Sequence, residues 1–401
     1  MKIAFILTQT SSGSAGSFVK THQICKHLES FNFNPTILCP FDEDLNKISD
    51  VKIELIPTFA SKLGLSTFSY KIARKMASRN LTSGFFLSER SIQKMISTIE
   101  KGLEKIFSEK KFDIIYAVQP IAALASASIA QKQNIPLITE LNNIWPEEAV
   151  ISGKIKPNDK TFSRLKSIEQ KVIDVSDGII VVSEFMKNYM FENYSIGKKP
   201  FAIQTSVGTI LPKYGKPRKN NVVYAGMVNP RAHVDLFVKS IPFVKNTSTS
   251  FYISDRGDEI KDLKKLSENH TKKINFFWKS SWNDALQFLQ ESKIGILTTT
   301  NDITWQIGHP QKLFDYLACG LPVIANDVDA WWTKLIKNEK IGLISDDDPK
   351  KFAESIDLLV SDNKMWQTMH ENALNLIKTK YNWSISVKQN LAPFLSKISK
   401  I

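Results

Sequence analysis

With 401 residues, 42% of them hydrophobic and 23% charged, the chain has the composition of a folded globular protein and exceeds what one ordinary core organises. Two domains of roughly 150–200 residues each are expected. No apolar run approaches the roughly 20 residues of a membrane-spanning helix, and the opening apolar stretch stops at Leu7, short of a secretory core of about 7–15 residues. The expectation is a cytoplasmic protein. Its net charge of +13 calls for an anionic partner, for which nucleotide diphosphates and lipid headgroups qualify. Nucleic acid ranks below them, since no nucleic-acid module and no aromatic-basic interleaving is present. The three cysteines, Cys25, Cys39 and Cys319, lack CxxC spacing and read as small buried hydrophobes. No metal-ligand spacing is present, so neither a metal nor a cofactor is expected.

Short apolar runs alternate with helical patterns along the chain. Strands are predicted at 2–7, 35–39, 51–56, 113–118, 135–139, 178–182 and 201–204, then at 221–225, 250–253, 274–277, 293–298, 321–325 and 341–344. Many, such as Ile179-Ile180-Val181-Val182, are apolar on both faces, as parallel strands covered by helices require. Two α/β, doubly wound domains in series follow. The Pro-, Gly- and Lys-rich stretch 211–219 places the division near 212/213.

Between residues 62 and 111 eleven Lys or Arg face four Glu. Within it Leu65, Phe68, Ile72 and Met76 share one side of a predicted helix, with Lys71, Arg74 and Lys75 opposite. Such a helix either packs on its own sheet or rests on an anionic membrane surface.

In open α/β sheets ligands sit beyond the carboxyl ends of the strands, so loops there weigh most. The first, Thr10-Ser11-Ser12-Gly13-Ser14-Ala15-Gly16-Ser17, joins strand one to a helix. Its small residues let a backbone approach a phosphate, though a plain tight turn explains the glycines nearly as well. The segment from Gly308 through His309-Pro310-Gln311-Lys312-Leu313-Phe314-Asp315 to Gly320 reads as a loop, a short helix opening at Pro310-Gln311 and a glycine stop. Lys312 adds a mobile cation near the helix start, and Asp315, about a turn on, can accept from a diol. An anion-plus-ribose site and a merely capped helix are equally consistent with these residues.

From Pro310 to Ala325 the segment also resembles the donor-binding signature of GT-B glycosyltransferases of the retaining, metal-independent family 4 type, with Asp315 at the position of a Glu. Val222-Val223-Tyr224-Ala225-Gly226 is similar to the strand and glycine loop opening that family's second domain. Glu140-Leu141-Asn142-Asn143-Ile144-Trp145-Pro146-Glu147 resembles its Arg-Asp-Leu-Trp-Pro-Glu segment, and the stretch 167–183 with Glu169 matches more weakly.

The resemblance implies two facing Rossmann-like domains, 1–212 on the acceptor side and 213–383 for a nucleotide-sugar, with a C-terminal helix at 384–401 crossing back. It implies sugar transfer to a glycan or polyprenyl-linked acceptor, with retention, in surface glycan synthesis; a polyprenyl-linked acceptor, together with the basic stretch 62–111, would place the enzyme peripherally on the membrane's inner face. Arg231, Lys312 and Asn143 become the catalytic candidates. Gly13, Gly16, Ser17, Gly226, His309, Pro310, Gln311, Leu313 and Asp315 become donor-binding candidates. Three departures remove charge: Met227 stands at the family's Arg, Ile307 at its upstream Glu, and Asn142-Asn143 at its Arg-Asp. A non-catalytic partner subunit and a nucleotide-sugar 2-epimerase are the alternatives.

Overall fold

The computed structural model describes residues 1–8, 16–40, 50–57, 88–157, 159–205, 207–212, 215, 217–268, 270–277 and 282–399. It divides into two compact units, 1–205 with 386–401, and 206–385.

The first unit carries strands β1 (Lys2–Leu7), β2 (Asn34–Cys39), β3 (Ile53–Leu55), β4 (Ile114–Val118), β5 (Leu137–Leu141), β6 (Gly178–Val181) and β7 (Phe201–Ile203). They form one parallel sheet in the order β3-β2-β1-β4-β5-β6-β7. Phe5 sits in register with Ile37 on one side and Tyr116 on the other. Helices α1 (Gly16–Leu28), α2 (Glu89–Glu109), α3 (Pro120–Gln133), α4 (Trp145–Ile151), α5 (Lys160–Val175) and α6 (Glu184–Asn193) cover it. Covering on both faces is why Ile3, Ala4, Phe5 and Ile6 are all fully buried. Helix α2 shows how the basic region folds where it is described. Ser88 caps it, Ile92, Ile96, Ile99 and Leu103 turn inward, and Arg90, Lys94, Lys101 and Lys105 stay exposed. The predicted helix around 65–76 lies outside the described residues.

The second unit repeats the plan with β8 (Asn221–Tyr224), β9 (Ser250–Ser254), β10 (Ile274–Phe277), β11 (Ile294–Leu297), β12 (Val323–Asn326) and β13 (Gly342–Ser345), ordered β10-β9-β8-β11-β12-β13. Its helices are α7 (Val234–Ser240), α8 (Ile260–Ser267), α9 (Trp282–Gln290), α10 (Ile303–Ile307), α11 (Gln311–Ala318), α12 (Trp331–Asn338), α13 (Pro349–Ser361) and α14 (Asn363–Thr379). In both sheets the strand order reverses beside the first strand, between β1 and β4 and between β8 and β11. Reversal opens a crevice at the carboxyl ends of those strands.

The chain ends in α15 (Trp383–Ser386), a π turn over Val387–Leu391, and α16 (Ala392–Ile398). Within the first unit Gln204 Nε2 donates to Ser386 Oγ at 3.0 Å, and Phe394 and Ile398 lie against Gly178 of β6. The sequence reading divides the chain at 212/213 and 383/384. Residues 207–212 instead cluster with the second unit, because Gly208 bridges Asn382 and the Val207 carbonyl accepts from Gln311 Nε2 at 3.2 Å.

Candidate functional site

The crevice of the second sheet is floored by Tyr224, the last residue of β8, and walled by the start of α11. Tyr316 of α11 ties the two together: its hydroxyl accepts from Ala225 N at 2.8 Å and donates to Ile296 O of β11 at 3.1 Å. Pro310 occupies the N-cap of α11, and Gly320 ends it with φ 68°, a left-handed conformation that favours glycine.

Lys312 does not swing free as the sequence suggested. It is partly buried, its Nζ donates to Tyr224 Oη at 2.7 Å, and it lies 4.3 Å from the centre of that ring. The Tyr224 hydroxyl passes its own hydrogen to Met227 O at 2.8 Å. Gly226 leaves the room: a Cβ there would come within 3.0 Å of Lys312 Cε. Among the described residues no carboxylate pairs with the amine. Burial, helped by the Arg231 charge, pulls it down to about 7.

Arg231 approaches from the turn after β8. Its guanidinium donates to Thr304 Oγ1 at 2.6 Å and lies 5.3 Å from the Trp305 ring, with Lys312 Nζ 5.9 Å from the same ring. Two cations therefore converge on one indole at the switch point of the sheet. The rest of α11's opening turn is polar. Gln311 Nε2 donates to Asp315 Oδ1 at 2.9 Å, and no cation pairs with Asp315 among the described residues, so burial pushes its carboxyl up to about 7. His309 stacks between Phe314 and Trp331, with centroids 4.7 and 4.3 Å away.

The two departures in this unit are also placed. Met227 is exposed, and Ile307 is buried at 5% exposure, so it acts as core. Leu313 is fully buried and offers the site only its backbone.

The first unit has its own crevice, a cavity of about 170 Å³ lined by Thr8 after β1, Gln119 after β4, and Asn143 and Trp145 after β5. Gln119 holds φ 76°, a strained conformation for a side chain this large. Asn143 donates to Glu148. Beneath lies a network that sequence reading missed. Lys20 of α1 and Glu140 of β5, 6% and 1% exposed, pair at 2.6 Å. Lys20 Nζ also donates to Asn142 Oδ1 at 2.8 Å and Gln204 O at 3.2 Å, and Tyr116 donates to Glu140. Glu140 is buried within β5, and Glu147 accepts from Tyr189. Gly16 opens α1 with Ser17 beside it. Gly13 lies outside the described residues.

Comparison with known proteins fits this geometry. Residues 208–376 match the model described as glycosyl transferases group 1, and residues 16–207 match that of glycosyltransferase family 4. The chain belongs to the GT-B glycosyltransferases of the group 1 type. A curated relative, an uncharacterized glycosyltransferase of Methanocaldococcus jannaschii, is 22% identical over 237 residues, 56% of this chain and 59% of the relative. The chain thus spans about three-fifths of the length of the curated relative it matches. Among solved GT-B structures, sucrose-phosphate synthase from Thermosynechococcus elongatus shares 13% identity and a TM-score of 0.70, covering 100% of this chain and 98% of that one. Anabaena HepE in complex with UDP and glucose shares 14% and 0.69, covering 99% and 100%. TarM of S. aureus shares 12% and 0.71, covering 99% and 98%.

Proposed function

We propose that this GT-B chain transfers a sugar from a nucleotide-sugar to a glycan or lipid-linked acceptor, with retention and without a metal. The observation that carries the reading is the convergence of Arg231 and Lys312 at the β8/β11 switch point, with Asp315 one turn along the same helix. As the glycosidic bond breaks, negative charge grows on the departing diphosphate. Fixed cations in a partly dry site stabilise that charge more than they stabilise the ground state. Asp315, lacking a cation of its own, suits the ribose hydroxyls. His309 and Pro310 shape the backbone beside the sugar, and Gly226 admits the diphosphate beside Lys312. HepE, bound to UDP and glucose in its own crystals, supports a nucleotide-sugar donor.

On the first unit, the cavity beside Asn143 and Trp145 would take the acceptor. A thermal-shift screen of UDP-, GDP- and dTDP-sugars, followed by nucleoside diphosphate release in EDTA, tests the reading. A stabilising sugar nucleotide that turns over in EDTA, giving a product with the donor's anomeric configuration by proton NMR, is expected. Stabilisation without turnover for any acceptor would leave a binding subunit, and no stabilisation would overturn the donor site.

A further inference from the structure

Arg231 is gripped at both ends by one short segment, residues 300–305. Its carbonyl accepts from Thr300 N at 3.0 Å and Trp305 Nε1 at 2.9 Å. Its guanidinium donates to Thr304 Oγ1. That hydroxyl has one proton, and the direction of its bonds is fixed by its neighbours. Arginine can only donate and an ionised carboxylate can only accept. So Thr304 Oγ1 gives its hydrogen to Asp302 Oδ1 at 2.5 Å and turns a lone pair to Arg231. Asp302 is held in turn: Oδ1 caps α10 by accepting from Thr304 N at 2.9 Å, and Oδ2 accepts from Thr300 Oγ1 at 2.6 Å.

We infer that Asp302 and Thr304 are positioning residues that hold the Arg231 guanidinium ready for the diphosphate, rebuilding a fixed cation in a crevice where Met227 supplies none. The inference rests on the proposed donor reading. A free arginine side chain has many rotamers to lose on binding, and a relay that orders it beforehand leaves less to lose. The acidic group is set one hydroxyl away from the guanidinium, so orientation is gained through a neutral atom.

Calorimetric titration of the full chain with UDP, GDP, dTDP and inorganic pyrophosphate tests it. Arg231→Ala should weaken whichever probe binds by about tenfold or more, and Thr304→Val by about fivefold. Thr304→Ser, which keeps the hydroxyl, should stay within about twofold of wild type. Asp302→Asn keeps the cap but removes the charge, and should fall between the Ser and Val variants. In the Arg231→Ala background Thr304→Val should add nothing, because its effect runs through the guanidinium. Equal losses from Thr304→Val with and without Arg231 would mean a role in α10 alone and would overturn the relay, as would a Thr304→Val variant that binds like wild type while Arg231→Ala is weak. If Arg231→Ala itself binds like wild type, or wild type binds none of the four probes, the donor reading fails and the relay with it. Unfolding midpoints of each variant separate misfolding from lost orientation.

Discussion

Lys312 and Asp315 sit three residues apart on one helix, and burial moves both to about 7 in opposite directions. Their roles in binding then set opposite limbs of a pH profile. An anionic ligand raises the lysine's pKa, so affinity is full below pH 7 and falls as pH rises above it. Ribose hydroxyls donating to Asp315 favour the carboxylate, so affinity falls again as pH drops below 7. A nucleotide-sugar, whose diphosphate charges do not titrate in this range, should bind best near pH 7. Lys312→Ala should lower the affinity maximum and remove the alkaline limb; Asp315→Asn should remove the acid limb and cost about 1–3 kcal/mol at the maximum. Calorimetry between pH 5.5 and 9 reads both limbs, and a flat wild-type profile would take these two groups out of the site. Sequence alone showed both residues, because a glycine-bounded helix after a strand puts them at a carboxyl edge. It did not show their pKa values: burial in the folded unit sets both, with the Arg231 charge adding to it at Lys312.

At the scale of elements, strands were far more legible than the contacts between them. Every predicted run matches an observed strand within a few residues, since a strand covered on both faces must be apolar throughout. Strand β5 shows where that rule stops. Its apolar reading ends at Thr139, yet the strand runs to Leu141 with Glu140 buried inside it, because Lys20 of a helix far away in sequence neutralises it. Helix α10 was not predicted either: Ile-Thr-Trp-Gln-Ile is rich in β-branched and aromatic residues with poor helix preference, and the Asp302 cap holds it. One more carboxylate joins elements in the same way. Glu169 of α5 accepts Trp145 N, the first amide of α4, at 2.7 Å and the hydroxyl of Tyr194 beyond α6. Burial raises it to about 7. Glu169→Ala would strand two buried donors and should destabilise the chain by about 2–4 kcal/mol in chemical denaturation. Glu169→Gln mimics the protonated acid. With the folded pKa above the unfolded one, ionising Glu169 is a burden present above pH 7 and relieved as pH falls toward 4.5, so wild type should gain on Glu169→Gln over that window by about 2–3 kcal/mol. A difference that stays constant from pH 7.5 to 5 would mean that Glu169 does not take up a proton there.

For the whole molecule the open matter is where a net charge of +13 is used. No helix among the described residues is long and apolar enough to cross a membrane. Of the basic residues between 62 and 111, six (90, 94, 101, 105, 110 and 111) fall in the described part together with all four acids (89, 100, 104 and 109), a balance of 6 − 4 = +2. Helix α2 spends its apolar face on the first unit's own core, and Lys110 pairs with Glu54 at 2.5 Å. Only charge is left for a lipid surface there. The remaining five, Lys62, Lys71, Arg74, Lys75 and Arg79, have no acidic neighbour in sequence; they lie outside the described residues. Each Lys or Arg near an anionic surface adds about 1 kcal/mol. We therefore propose that 62–79 docks the enzyme on acidic lipid, bringing it to a lipid-linked acceptor. Replacing Lys71, Arg74, Lys75 and Arg79 by Gln should release the protein from phosphatidylserine vesicles in flotation, while replacing Arg90, Lys94, Lys101 and Lys105 should release far less. Rising salt should mimic the first variant, since the Debye length contracts from about 30 Å at 0.01 M to about 8 Å at 0.15 M. Equal flotation of wild type and the first variant would leave a soluble glycan as the acceptor and the positive surplus to the diphosphate alone.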